Sequence, residues 1–132
     1  MSDRQELHGD GGAALFDAVI DGDVALVKKI IGDGAKVSFP DEEGWTLLHF
    51  SARDFHVEIA QVLLDAGAEI DAQNVHGNTP LGEAVFGSKG RGEMIRLLLR
   101  RGANPNLENM YGVSPKKLAD TIANYNVAQW FK

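Results

Sequence analysis

Cysteine is absent from all 132 residues, which excludes disulfides, thiolate nucleophiles and thiolate metal sites together. Long apolar runs are absent too. Stretches such as Leu97-Leu98-Leu99 fall far short of the roughly 20 residues that span a bilayer. The polar opening Met1-Ser2-Asp3-Arg4-Gln5-Glu6 has no apolar region of the kind a secretion signal carries. These absences predict a cytoplasmic protein with no membrane partner. Catalytic patterns are equally scarce, with neither H-E-x-x-H nor G-x-S-x-G present. Of the four histidines, His49 and His56 are seven residues apart, His8 lies near the start and His76 falls at a turn. No set of them converges with carboxylates, so no catalytic residue, metal or cofactor is expected, and the chain reads as a non-enzyme.

Basic residues are scarce in the first half. The net charge of −6 divides into −3 over residues 1–40, −7 over 41–73, +3 over 74–106 and +1 over 107–132. The acidic stretch runs through Asp41, Glu42, Glu43, Asp54, Glu58, Asp65, Glu69 and Asp71. Such a surface repels nucleic acid and anionic lipid and favours a basic partner, or serves only as a solvated face. The cluster Lys89, Arg91, Arg96, Arg100 and Arg101 raises a nucleic-acid reading, but Arg96 and Arg100 share a helix that must bury Ile95, Leu98 and Leu99. They read better as its solvated side.

The chain repeats itself. Gly44-Trp45-Thr46-Leu47-Leu48-His49-Phe50-Ser51-Ala52 aligns with Gly77-Asn78-Thr79-Pro80-Leu81-Gly82-Glu83-Ala84-Val85 at an offset of 33 residues. A unit of that length cannot bury its apolar face alone and must stack on its copies. Apolar residues recur at helical steps through Val57, Ile59, Ala60, Val62, Leu63 and Leu64, and again through Met94, Ile95, Leu97, Leu98 and Leu99. Gly34-Ala35, Gly67-Ala68 and Gly102-Ala103 close the helices before them, and Gly44, Gly77 and Gly112 mark turns. Thr46, Thr79 and Ser114 stand where a hydroxyl caps a helix, with Pro80 and Pro115 at the first helical position. Between Glu58-Ile59 and Glu93-Met94 the spacing widens to 35, the extra residues falling in Phe86-Gly87-Ser88-Lys89-Gly90-Arg91-Gly92. That loop lacks the G-K-[ST] of a phosphate cradle; it is either a specificity insertion or drift.

These motifs resemble the ankyrin-repeat family, whose unit is a β-turn and two antiparallel helices opened by T-P-L-H-x-A. The signature reads Thr46-Leu47-Leu48-His49-Phe50-Ser51, then Thr79-Pro80-Leu81-Gly82-Glu83-Ala84, then Ser114-Pro115-Lys116-Lys117-Leu118-Ala119. The resemblance implies that His49 bonds turn backbone, a bond missing where its copies are Gly82 and Lys117. The expected fold is an all-α ankyrin-repeat solenoid with β-turn fingers, comprising a tail over 1–12 and one domain over 13–132. Its units fall near 13–38, 39–71, 72–106 and 107–132, two inner and two capping. Helices are expected near 13–21, 24–32, 46–54, 57–66, 79–86, 92–101, 114–122 and 125–131. The irregular edge units argue against an excised interior piece of a larger array.

The resemblance places binding at the turn tips and inner-helix ends of the concave face. The tips are Glu42, Glu43 and Trp45, then Val75, His76 and Asn78, then Met110, Tyr111 and Val113; the helix ends add Ile20, Asp21, Arg53, Asp54 and Phe86. Trp, Tyr and Met belong to the residue types that anchor interfaces. The expected function is therefore protein binding by a chain monomeric when free. Trp45, Tyr111, Met110, Val75 and Phe86 would be apolar anchors, and Glu42, Glu43, Asp21 and Asp54 would meet basic groups. The last unit resembles that of small bacterial stand-alone ankyrin proteins, which implies an immunity protein covering a cationic toxin. A generic adaptor and, far behind, a carboxylate-dependent hydrolase are the alternatives.

Overall fold

The computed structural model describes residues 12–122 and 126–131. The expected tail therefore lies outside the described residues except for Gly12, which opens the first helix, and so does residue 125 of the expected last helix. Seven α-helices are present among the described residues, with no strand: α1 Gly12–Asp21, α2 Val24–Gly32, α3 Leu47–Arg53, α4 Val57–Asp65, α5 Pro80–Gly87, α6 Glu93–Arg100 and α7 Pro115–Thr121. The chain then forms a 3-10 helix, Val127–Phe131, where an α-helix was expected. A segment of five residues suits the tighter coil, which is used in short pieces.

Thr46, Thr79 and Ser114 lie just outside their helices because each is the N-cap, with extended backbone and a hydroxyl that accepts the N–H three residues on. The donors are His49 at 3.3 Å, Gly82 at 3.2 Å and Lys117 at 3.1 Å. Capping each inner helix in the same way fixes where it begins. The inner helices α1, α3, α5 and α7 pack side by side in chain order, and the outer helices α2, α4 and α6 do the same behind them.

Stacking is visible in two adjacent side chains. Leu47 turns to a core shared with Leu15, Val19, Val27, Ile59 and Leu63, while Leu48 turns to the opposite core with Leu81, Val85, Met94, Ile95 and Leu98. One helix thus joins both hydrophobic clusters, and no unit owns a complete core.

Between helix pairs the chain forms fingers built on one repeated device. Asp41 Oδ1 accepts the N–H groups of Glu43 and Trp45 at 2.9 Å each. Asn74 Oδ1 takes His76 and Asn78 at 3.0 Å each, and Asn109 Oδ1 takes Tyr111 at 2.9 Å and Val113 at 3.0 Å. This is the local turn-forming bond that Asp and Asn favour. Successive fingers are tied by Val75 N–H to the Glu43 carbonyl, 2.8 Å, and Met110 N–H to the His76 carbonyl, 3.0 Å. Gly44 and Gly77 have φ of 78° and 79°. A Cβ on either would come within 2.8 Å of the next finger's backbone, so both torsion and proximity demand glycine there.

The widened loop after α5 is an ordered seat. Trp130 from the 3-10 helix covers Gly92 so closely that a Cβ there would lie 2.3 Å from the indole. Its Nε1–H donates to the Gly90 carbonyl at 3.2 Å, and the exposed Arg96 guanidinium lies 4.8 Å from its ring centre. On the other side, Arg91 sits 3.6 Å from the ring centre of Phe55. Phe55 holds φ at 61°, a left-handed conformation that its copy 33 residues earlier, Gly22, adopts without side-chain strain.

Candidate functional site

The hydrogen-bonded finger turns push their second and third residues outward. Val75, Met110 and Tyr111 are consequently 58%, 64% and 69% exposed, and Phe86 at the end of α5 is 60% exposed. The His76 and Tyr111 rings stack across neighbouring fingers with centres 6.5 Å apart. Glu42 and Glu43 are exposed on the preceding finger, and Asp21 and Asp54 at the ends of α1 and α3. Ile20 and Val113 are half-buried.

Trp45 differs from the other expected anchors. It is half-buried, with its ring 5.0 Å from Phe50 and 5.6 Å from His49. Arg53 lies over both Trp45 and Phe50, its guanidinium carbon 5.3 Å from each ring centre. The same guanidinium donates to both carboxylate oxygens of Asp54, at 2.9 and 3.3 Å. Arg53 and Asp54 therefore meet as a neutral pair on an aromatic floor.

Asn78 is half-buried and already engaged. Its carbonyl accepts His49 Nε2–H at 2.8 Å and Asn74 N–H at 3.0 Å, and its side-chain oxygen accepts Asn109 Nδ2–H at 2.8 Å. Trp45, one unit earlier, offers no such oxygen. Asn74 Nδ2 accordingly has no hydrogen-bond partner, the one such buried side-chain atom among the described residues. A lost bond at that place costs about 1–3 kcal/mol, which Trp45 imposes on the scaffold.

His49 does what the resemblance implies. It is fully buried, its Nδ1 accepts the Thr46 N–H at 3.0 Å, and its Nε2–H reaches the next finger at Asn78. Burial lowers its pKa, against smaller opposing effects of the backbone bonds to Asn78 and Ala72 and the charge of Asp41. Glu83, by contrast, was not singled out by the sequence reading. It is 6% exposed, and burial raises its pKa against the weaker pull of Arg53. Its copies in the neighbouring units are Phe50 and Leu118; a carboxylate between two apolar copies is the signal that could have marked it.

Among the described residues no group of three or more His, Asp or Glu could hold a metal ion, and no helix is long and apolar enough to cross a membrane. The face is an assembly of fingertips and helix ends suited to contact over an extended surface.

Known proteins share this organisation. The profile of ankyrin repeats in three copies matches residues 15–109. SH3 and multiple ankyrin repeat domains protein 2 of Homo sapiens is 32% identical over 115 residues, 87% of this chain and 6% of that protein. Protein phosphatase 1 regulatory subunit 27 of Homo sapiens is 40% identical over 74 residues, 56% of this chain and 48% of its own length. Serine/threonine-protein kinase 12 of Arabidopsis thaliana is 29% identical over 127 residues, 96% of this chain and 26% of that protein. The chain thus spans under half the length of each of these relatives. With the capped helix pairs, the finger ladder and the profile match in agreement, the chain belongs to the ankyrin-repeat family, a family of protein-interaction modules.

Proposed function

We propose that this chain works in the cytoplasm as a protein-binding module, with residues 13–132 acting as one repeat domain of four units. Its partner lies across the fingertips and inner-helix ends. The observation that carries this reading is the exposed apolar row of Val75, Met110, Tyr111 and Phe86, since large apolar groups held in water on a rigid scaffold mark a contact surface. The fingers are already bonded into place, so little ordering is needed on binding. Trp45 completes the row from a half-buried position, while Glu42, Glu43, Asp21, Asp54 and His76 form its polar rim. The excess of acid over residues 41–73 supports a partner with a basic contact surface.

The narrower reading, an immunity protein that covers a cationic toxin, draws on that acidity and on the resemblance of the last unit to small bacterial stand-alone ankyrin proteins, whereas the relatives named above come from human and Arabidopsis. The broader role of regulator or adaptor is therefore the one adopted. The test is a pull-down from the native source with the wild type, a Val75→Glu/Met110→Glu/Tyr111→Glu variant and an outer-helix Arg100→Glu variant. The fingertip variant should lose the partner while Arg100→Glu retains it. The reverse pattern would move the binding surface to the outer helices and overturn the proposal.

A further inference from the structure

Glu83 is the one carboxylate among the described residues that is both taken out of water and left without a hydrogen bond or an ion pair. It is 6% exposed, yet its oxygens are not among the fully buried unpartnered atoms, so the tip of the side chain still reaches solvent. Buried carboxylates are ordinarily paired, because their desolvation is costly. The nearby cation is committed elsewhere: Arg53 forks onto Asp54 at 2.9 and 3.3 Å and lies over Trp45 and Phe50. That pair is neutral by itself and offsets the Glu83 charge only weakly, and an exposed Phe86 follows three residues further along α5.

We infer that Glu83 receives a lysine or arginine side chain of the protein partner and is the specificity-determining residue of the inner face. The inference rests on the binding reading above and sharpens it. Charge argues for it: an incoming cation would meet a carboxylate whose nearby guanidinium, Arg53, is already held by Asp54. The exposed Phe86 three residues further along the same helix suits the aliphatic stem of a long basic side chain. In the neighbouring units the same position holds Phe50 or Leu118, so the fold does not require an acid here.

The experiment selects random twelve-residue peptides displayed on phage against the full chain, then measures synthetic versions of the enriched peptides by fluorescence anisotropy. Enriched peptides should carry a Lys or Arg whose replacement by norleucine weakens binding about tenfold or more, and Glu83→Gln should weaken it to the same extent. The two changes together should cost no more than either alone, as a direct pair requires. Glu83→Gln keeps the side-chain volume and removes a desolvated charge, so a melting temperature at or above wild type certifies its fold. Binding of every enriched peptide within about twofold of wild type by Glu83→Gln, or failure of any peptide to enrich, overturns the inference. If peptides lose affinity to Met110→Ala/Tyr111→Ala but not to Glu83→Gln, this inference falls while the binding reading stands. If neither variant matters, both fall.

Discussion

Gly82 occupies the place of His49 one unit on, and what is missing there can be put back. A Cβ built on Gly82 meets nothing closer than Thr79 Oγ1 at 3.8 Å and Pro115 Cγ at 4.0 Å, and the residue lies inside α5. Gly82→Ala should therefore stabilise the protein by about 0.5–1 kcal/mol through backbone entropy alone. For a chain of this size that raises Tm by roughly 2–5 °C. Gly82→His goes further. The side chain would enter the cleft bounded by Asn78, Thr79, Leu107, Val113 and Pro115. There Nδ1 would accept the Thr79 N–H and Nε2–H would donate to the Val113 carbonyl, copying the bonds of His49 at 3.0 and 2.8 Å. A second increment of about 1 kcal/mol is expected at neutral pH. The assay is chemical denaturation of wild type, Ala and His variants at equal m-value. A destabilised Ala variant would show that the site lacks the space described; a His variant no more stable than Ala would show that the finger bond cannot be transplanted.

Gly92→Ala should cost about 1–3 kcal/mol, because its methyl would sit inside the Trp130 ring position; a red shift of tryptophan emission should accompany the loss. Tyr111→Ala, at a ring 69% exposed, should change stability by no more than about 0.5 kcal/mol while weakening the partner. Trp45→Ala should do both, since its indole packs on Phe50 and His49. Stability against pH follows from two buried groups. His49 has a folded pKa below its ordinary 6.5, so its contribution is complete above 6.5 and is lost as pH falls through the lower folded value. Glu83 has a folded pKa above its ordinary 4.5, so its contribution is complete below 4.5 and is lost as pH rises through the higher folded value. Denaturation midpoints measured from about pH 4 to 7 should show the Glu83→Gln variant gaining on wild type as pH rises.

The helix pairs were legible because glycine, cap hydroxyl and apolar step recur in phase, and each of these acts within a few residues of chain. His49 was legible from its place in the signature. The fate of Trp45 was not. Its half-buried pose depends on Phe50 and Arg53, which approach it only when α3 is coiled. Glu83 was missed because its isolation arises from what Arg53 does instead, choosing Asp54, a preference written in three dimensions. The loop Gly87–Gly92 reads in the sequence as a specificity insertion or as drift, and neither reading includes Trp130, some 40 residues away, which sits on it. Sequence spacing recorded the insertion but not its occupant.

The unmatched amide of Asn74 has a mechanical consequence. The fingers of the third and fourth units are joined three times, by Met110 N–H to the His76 carbonyl, by the side chains of Asn109 and Asn78, and by Gln73 Nε2–H to the Glu108 carbonyl. Between the fingers of the second and third units no side-chain amide bridge forms, because an indole stands where the acceptor would be, and Val75 N–H to the Glu43 carbonyl and His49 to Asn78 carry the joint. The array is thus a ruler with one looser hinge, set beside its bulkiest aromatic contact. Hydrogen exchange would register this asymmetry as faster opening at Val75 than at Met110, and a partner gripping Trp45 would pull on the joint that yields first.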